Sequence, residues 1–359
     1  MSVAERLDRF QRKHQWAGFP LAVLYKYVDD FGAYLAALLT YYGFVSLFPL
    51  LLLFSTVLGF VLSGDGMLQH HVFVSALRQF PVIRDDLSQP KHIGGGPAGL
   101  VIGILGSLYG GLGVAQAFQY ATNTVWGVPR NNRPNPFKAR GRSLLLLATA
   151  GLAMMGTTAL SIVGGSGVGP FGIILRFVAV AASVLINIAV FVFGFRFAAA
   201  RRLSVRDVAP GAVAAAVIWQ LLQSFGVIYA GHVIRHASET NAVFAVVLGM
   251  LAFLYLSATA VLLSMEINVV RVSSMHPRSL LTPFTDNVIL TTGDRRAYSR
   301  QAKAQRSKGF EHVNVHFDPP SATADQGASQ ADPASEIDPA SEIDPASQRD
   351  PAAELDQGR

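Results

Sequence analysis

From Phe31 to Leu62 the chain runs 32 residues without a charged side chain. A helix needs roughly 20 apolar residues to cross the hydrocarbon core of a bilayer, so this stretch predicts a transmembrane helix. Asp29 and Asp30 stop the charge at one end and mark a water-facing boundary. Pro49 lies inside the stretch, where it removes one backbone hydrogen bond and crowds the preceding turn. In a membrane bundle neighbouring groups can re-satisfy the freed carbonyl, so a kink is expected. Tyr41, Tyr42 and Ser46 place hydroxyls in the same helix, and those hydroxyls favour a protein neighbour or a cavity over lipid. The helix therefore belongs inside a bundle. The composition agrees: 51% hydrophobic, 14% charged and a mean hydropathy of +0.37 give the balance of an all-α polytopic membrane protein.

Taken in order, residues 1–30 form a polar, amphipathic lead-in, with Leu7, Phe10 and His14 at helical spacing, expected to lie on the cytoplasmic membrane surface. Ser63–Pro97 is too short and too polar to span, and reads as an amphipathic hairpin on the outer face. The second span, Ala98–Thr122, is studded with small residues: Gly99 and Gly103, Gly106 and Gly110, Ser107 and Gly111. Pairs at this spacing let helix backbones approach closely in lipid. Gly110, Gly111 and Gly113 also raise a second expectation, a locally loosened helix beside Tyr109 and Gln116 that lines a pathway. Gln116, Gln119 and Asn123 turn one face polar, and Trp126 is expected at the membrane interface. Val128–Arg142 is a basic, proline-bearing loop. Further spans are Ser143–Val163, Phe171–Phe195 with Arg176 and Asn187, Val208–Tyr229, and Ala242–Val270. That makes six transmembrane helices within residues 31–272.

Lys and Arg crowd one side of these spans: the N-terminus, the 128–142 loop, the 196–207 loop, and Arg271 with Arg278. The positive-inside rule makes that side cytoplasmic and puts both termini there. Residues 273–317 form a basic cytoplasmic segment, expected to pack on the bundle or on anionic headgroups. Residues 318–359 are low in complexity, with Asp332, Asp338, Asp344 and Asp350 each followed by Pro-Ala. A stretch of Pro, Ser, Ala and acids without aromatics buries too little to fold, so a disordered acidic tail is predicted. The absence of cysteine excludes a disulfide framework and thiolate chemistry.

Glu266 is the first candidate for function. It sits near the end of the sixth span beside Asn268, and three roles are open: a boundary residue, a partner of Asn123 or a loop arginine, or a proton- or cation-coupling site. Asp29 and Asp30 are expected to pair with Arg140 or Arg142, or to cap a helix start. His232 and His236 stand at i, i+4, a spacing that suits metal ligation on a helix, but no third ligand is near. Neither a catalytic set nor a cofactor or metal site can be assembled. A metal-dependent nuclease would need clustered carboxylates or histidines, and the polar segments offer none.

Several pieces resemble a known family. They are DDFGAYLAALLTYYGFVSLFPLLLL (Asp29–Leu53), GLVIGILGSLYGGLGVAQAFQYATNTVWGV (Gly99–Val128), PGAVAAAVIWQLLQSFGVIYA (Pro210–Ala230) and LLSMEIN (Leu262–Asn268). In order and spacing they resemble the YihY/BrkB family of bacterial inner-membrane proteins over about residues 20–272. The AxxxYYxxxSLFP and NxxWGV pieces are the distinctive ones. The chain departs from the family pattern at Phe195–Ser204, at Ser264-Met265 and at Phe253. The resemblance implies six spans in the bacterial inner membrane. Some members carry a ribonuclease name, for which the residues here give no basis, so no enzyme is expected. The expected function is transport or translocation of a lipid or small solute in envelope maintenance. The alternative is a non-catalytic scaffold for envelope-biogenesis proteins. Membrane lipids are the expected partners, with a second copy of the chain or an envelope protein as further candidates, and no nucleic acid. The residues expected to form a polar pathway or its structural support are Asp29, Asp30, Tyr41, Tyr42, Ser46, Pro49, Gly110, Gly111, Gln116, Asn123, Trp126, Asn187, Glu266 and Asn268.

Overall fold

A computed structural model describes residues 3–61, 96–165, 169–236, 239–282, 285 and 288–318. The outer hairpin expected at Ser63–Pro97, apart from Gly96 and Pro97, and the acidic tail after Asp318 lie outside the described residues, as do the side chains of Pro49, Arg176, His232 and His236. Among the described residues the regular elements are helical. Two short helices, α1 (Val3–Lys13) and α2 (Gln15–Asp29), lead into six long ones: α3 (Gly32–Val61), α4 (Gly96–Val125), α5 (Pro136–Gly165), α6 (Gly169–Ala198), α7 (Val205–His236) and α8 (Glu239–Ser273). A final helix, α9 (Thr292–Ala304), follows. Among the described residues four stretches are long and apolar enough to cross a membrane: Val101–Val125, Phe177–Ala198, Val205–Phe225 and Val246–Ser273. Gly32–Leu47 is a shorter apolar one.

The ends of these helices follow local chemistry. Asn135 accepts the Lys138 backbone N–H at 3.0 Å and Pro136 opens α5, a cap residue followed by a proline whose missing N–H costs nothing there. The helix thus begins inside the stretch expected to be a loop. Ser204 and Asp207 cap α7 reciprocally, and Thr291 and Asp294 do the same for α9. Helix α4 closes on Gly127, whose φ of +57° lets the Val128 N–H reach back to the Asn123 carbonyl at 2.8 Å.

Helix α8 is the hub, packed by α2, α3, α4 and α7. Small residues let the helices approach. On the α3–α4 seam Gly110 lies against Ser46 and Gly113 against the Tyr42 ring, so close that a Cβ at Gly110 would stand 2.6 Å from Ser46. Helix α4 runs unbroken through Gly110, Gly111 and Gly113, so the expected loosening does not occur: in a packed seam these glycines are spacers and the backbone bonds stay in place. Tyr41 departs from expectation as well. It points outward, 60% exposed, on the helix face away from the seam that Tyr42 and Ser46 occupy.

The α7–α8 seam solves a problem set by Pro210, which cannot donate to the Arg206 carbonyl and crowds it. Arg271 donates to the Arg206 carbonyl. Three residues earlier on α8, Asn268 accepts the Gly211 N–H at 2.7 Å and donates to the Val208 carbonyl at 3.1 Å. The opened turn is thereby satisfied by side chains of the neighbouring helix. Gly211 must be glycine for this, because a Cβ there would stand 2.0 Å from the Ser264 carbonyl oxygen and 2.3 Å from Asn268. Gly211→Ala is expected to cost about 1–3 kcal/mol through overpacking, read as a lower melting temperature in detergent. Gly151→Ala, on α5 with nothing within 4 Å, is the control. It should leave stability unchanged or raise it by up to about 1 kcal/mol.

Candidate functional site

Charged side chains that the spans should exclude converge at one end of the bundle. The second half of the lead-in is part of the bundle. Helix α2 packs into the core through Ala22 and Val23 and delivers Lys26 to the same buried layer. The Lys26 ammonium donates to the Asp30 carboxylate one turn on and to the Val125 carbonyl at 3.4 Å. It stands 3.8 Å from Glu266 Oε2. Burial alone would pull the Lys26 pKa down, but Glu266 and Asp30 hold it above its ordinary value, so this group stays a cation. Burial pushes Asp30 up, against the pull of Lys26.

Glu266 is fully buried. Among the described residues no N–H or O–H donates to either of its carboxyl oxygens. Its charged neighbour is the Lys26 ammonium, which also holds the Asp30 carboxyl. All three roles open in the sequence put Glu266 against protein, and it is buried there. The expected partners, Asn123 or an arginine of the 128–142 loop, are replaced by Lys26.

A second charged layer lies beside the first. Arg278 is buried, donates to Asp29 at 3.0 Å through both terminal nitrogens and to Asp294 at 2.5 Å. Asp29 and Asp30 thus pair with Arg278 and Lys26, not with Arg140 or Arg142. Those two arginines sit on α5 (Pro136–Gly165). Asp294 also accepts the backbone N–H groups of Ser279 and Thr291, so one carboxylate caps α9 and anchors Arg278 together. Arg300 of α9 donates to the Trp126 carbonyl at 2.6 Å and to the Ser273 hydroxyl. Gln301 donates to the Asp29 carbonyl at 2.7 Å. The basic segment after α8 is therefore a cap on the bundle.

The remaining expected residues divide. Trp126 is 1% exposed, not at an interface: Gly127 turns the chain so that the indole packs inward, with the exposed Arg201 guanidinium 5.7 Å from its ring. Asn123 is buried and accepts the Ala200 N–H at 2.7 Å, a structural tie between α4 and the end of α6. Gln116 is exposed, and its neighbour Gln119 is buried, donating to Ser143 at 2.8 Å. Asn187 is half-buried on α6, away from the cluster. Lys26, Arg278, Asp294 and Arg300 were not among the expected site residues. The Lys26–Asp30 spacing and the Thr291-x-x-Asp294 cap are the local signals that point to two of them.

A cleft of about 620 Å³ opens over this cluster. Its floor holds Lys26, Asp29 and Asp30. Its walls include Arg130, Arg133 and Arg300, with Phe31, Tyr34 and Tyr120 among its aromatic residues. Phe31 and Tyr34 are mostly exposed, and the Arg133 guanidinium lies 5.1 Å from the Tyr120 ring.

A family model described as virulence factor BrkB matches residues 23–284. The chain belongs to this family. No curated protein and no solved structure matches it. The BrkB match takes in Lys26, Asp29, Asp30, Glu266 and Arg278, and it ends before α9, which brings Asp294 and Arg300. In this BrkB-family chain no group of three His, Cys, Asp or Glu is placed to hold a metal ion among the described residues. Arg278→Leu would leave Asp29 and Asp294 without their shared cation. Stripping one member from a buried ion pair costs about 3–5 kcal/mol. The expected readout is a lower melting temperature together with faster tryptic cleavage at Arg295 and Arg296 as α9 lifts away.

Proposed function

We propose that this BrkB-family membrane protein moves a lipid or small solute, with the cleft over Lys26 and Asp30 as its entry site. The proposal places six spans in the bacterial inner membrane, with the basic end of the bundle and both termini cytoplasmic. The observation that carries it is the combination of a cleft of about 620 Å³ with a charged floor of Lys26, Asp29 and Asp30, Lys26 in turn facing buried Glu266. Sites for small molecules commonly measure about 300–1,000 Å³ and combine apolar walls with a few converging polar groups. Aromatic side chains at the mouth suit the headgroup level of a bilayer. Arg130 and Arg133 on one wall favour a ligand that carries negative charge.

Reconstitution into proteoliposomes tests this. Flux of labelled phospholipids and of small anions is measured for the wild type and for Thr124→Trp, which fills the cleft from a half-buried wall position. The expected result is wild-type flux, reduced at least about tenfold (about 1.4 kcal/mol) in a variant with an unchanged melting temperature. A wild type that moves none of these compounds favours the alternative, a non-catalytic scaffold for envelope-biogenesis partners.

A further inference from the structure

Setting apart the wall arginines Arg130 and Arg133, the charged groups beneath the cleft do not balance. Four carboxylates, Asp29, Asp30, Glu266 and Asp294, face three cations, Lys26, Arg278 and Arg300. Three of the carboxylates are well supplied. Asp29 receives two guanidinium N–H groups. Asp294 receives a guanidinium, two backbone N–H groups and the Thr291 hydroxyl. Asp30 receives the Lys26 ammonium. Arg300 spends its guanidinium on the Trp126 carbonyl and the Ser273 hydroxyl. The surplus negative charge therefore falls on Glu266, which is fully buried and whose two oxygens receive no hydrogen bond among the described residues.

A bare carboxylate in that position costs several kcal/mol or more, and two buried carboxyls that share one ammonium do not both ionise readily. We propose that Asp30 and Glu266 together hold one exchangeable proton, shared between their carboxyl oxygens and reached from the cleft through Lys26 and Asp30. The step is proton transfer alone. Cleft water gives up a proton, one carboxyl O–H bond forms, and the cluster passes from one negative charge to neutral; release is the reverse. The proton belongs to the pair and not to either residue.

The groups that face the pair set its titration. They are Lys26, Tyr27 and Asp29 of α2 and Arg300 of α9. A metal cation is disfavoured as occupant, because the Lys26 ammonium already sits between the two carboxyls and would repel it. This proposal is independent of the transport reading. A chain that moves nothing could still hold the proton, and its test needs no flux.

Infrared spectroscopy of the purified full chain at neutral pH reads the proton directly. The expected result is a protonated carboxyl C=O band in the wild type that disappears as pH is raised. In Glu266→Gln and in Asp30→Asn the one remaining carboxylate pairs with Lys26, so the band is lost. Absence of the band from the wild type, or its survival in both variants, overturns the proposal. Loss of the band on adding sodium at constant pH also overturns it, since a metal cation would then occupy the site. Should either variant fail to fold, the wild type is treated with dicyclohexylcarbodiimide, which modifies protonated carboxyls in apolar surroundings. Peptide mapping should then find the adduct on Glu266 or Asp30, declining as pH rises. No adduct on either residue at any pH overturns the proposal.

Discussion

The Lys26 ammonium stands where α2, α8 and the end of α4 meet, donating to Asp30 and to the Val125 carbonyl and facing Glu266. Burying a charge is tolerable only when partners repay the lost hydration. Each group in this layer can therefore be buried only because the others are. That mutual dependence fixes the register of α2 against α8 more tightly than apolar packing could, since Ala22 and Val23 would slide with little penalty while Lys26 would not. It also explains why the lead-in is drawn into the bundle. Its polar face has nowhere better to put a lysine that two carboxylates already await.

The same logic recurs on the neighbouring seam with uncharged groups. Pro210 opens the first turn of α7, and Asn268 and Arg271 close it from α8. In lipid an unsatisfied backbone group costs several kcal/mol, so a proline near a helix start demands a donor from elsewhere, and Gly211 leaves room for that donor to arrive. Glu266, Asn268 and Arg271 lie within two turns of one helix. Successive turns of α8 thus answer needs that arise on α2 and α7.

Much of the helical layout was legible in the sequence because it rests on local rules. The uncharged run after Asp30 and the small residues from Gly103 to Gly113 each act within a turn or two of their own position. The pieces that carry the family resemblance gain physical reasons. In NxxWGV, Asn123 ties α4 to Ala200, Trp126 turns inward, and Gly127 takes the left-handed turn. Tyr42 and Ser46 seat Gly113 and Gly110. What the sequence did not disclose is pairing across long separations. Spacing rules reach three or four residues along a helix, whereas Lys26 meets Glu266, and Asp29 meets Arg278, only after the bundle has assembled. Trp126 and Tyr41 were misplaced for the same reason. An aromatic near a helix end suits an interface or a core equally, and only the neighbours decide.

The segment after α8 shows how these long-range ties shape the site. Without α9 the cleft would lose the wall formed by Arg300, Gln301, Ala304 and Gln305, and Arg278 would lose Asp294. The cap is held by polar contacts, Arg278 to Asp29, Gln301 to the Asp29 carbonyl, Arg300 to the Trp126 carbonyl, Tyr25 to the Leu280 carbonyl and Gln11 to the Arg278 carbonyl, and by Met275 and Ala297, which join the apolar core. The Arg278–Asp29–Asp294 group is buried and costly to break, and the interhelical seams below are apolar and closely packed. The bundle is thus built from two materials. The seams fix where Glu266 stands, and the polar layer above it supplies a wall of the cleft that Lys26 and Asp30 line.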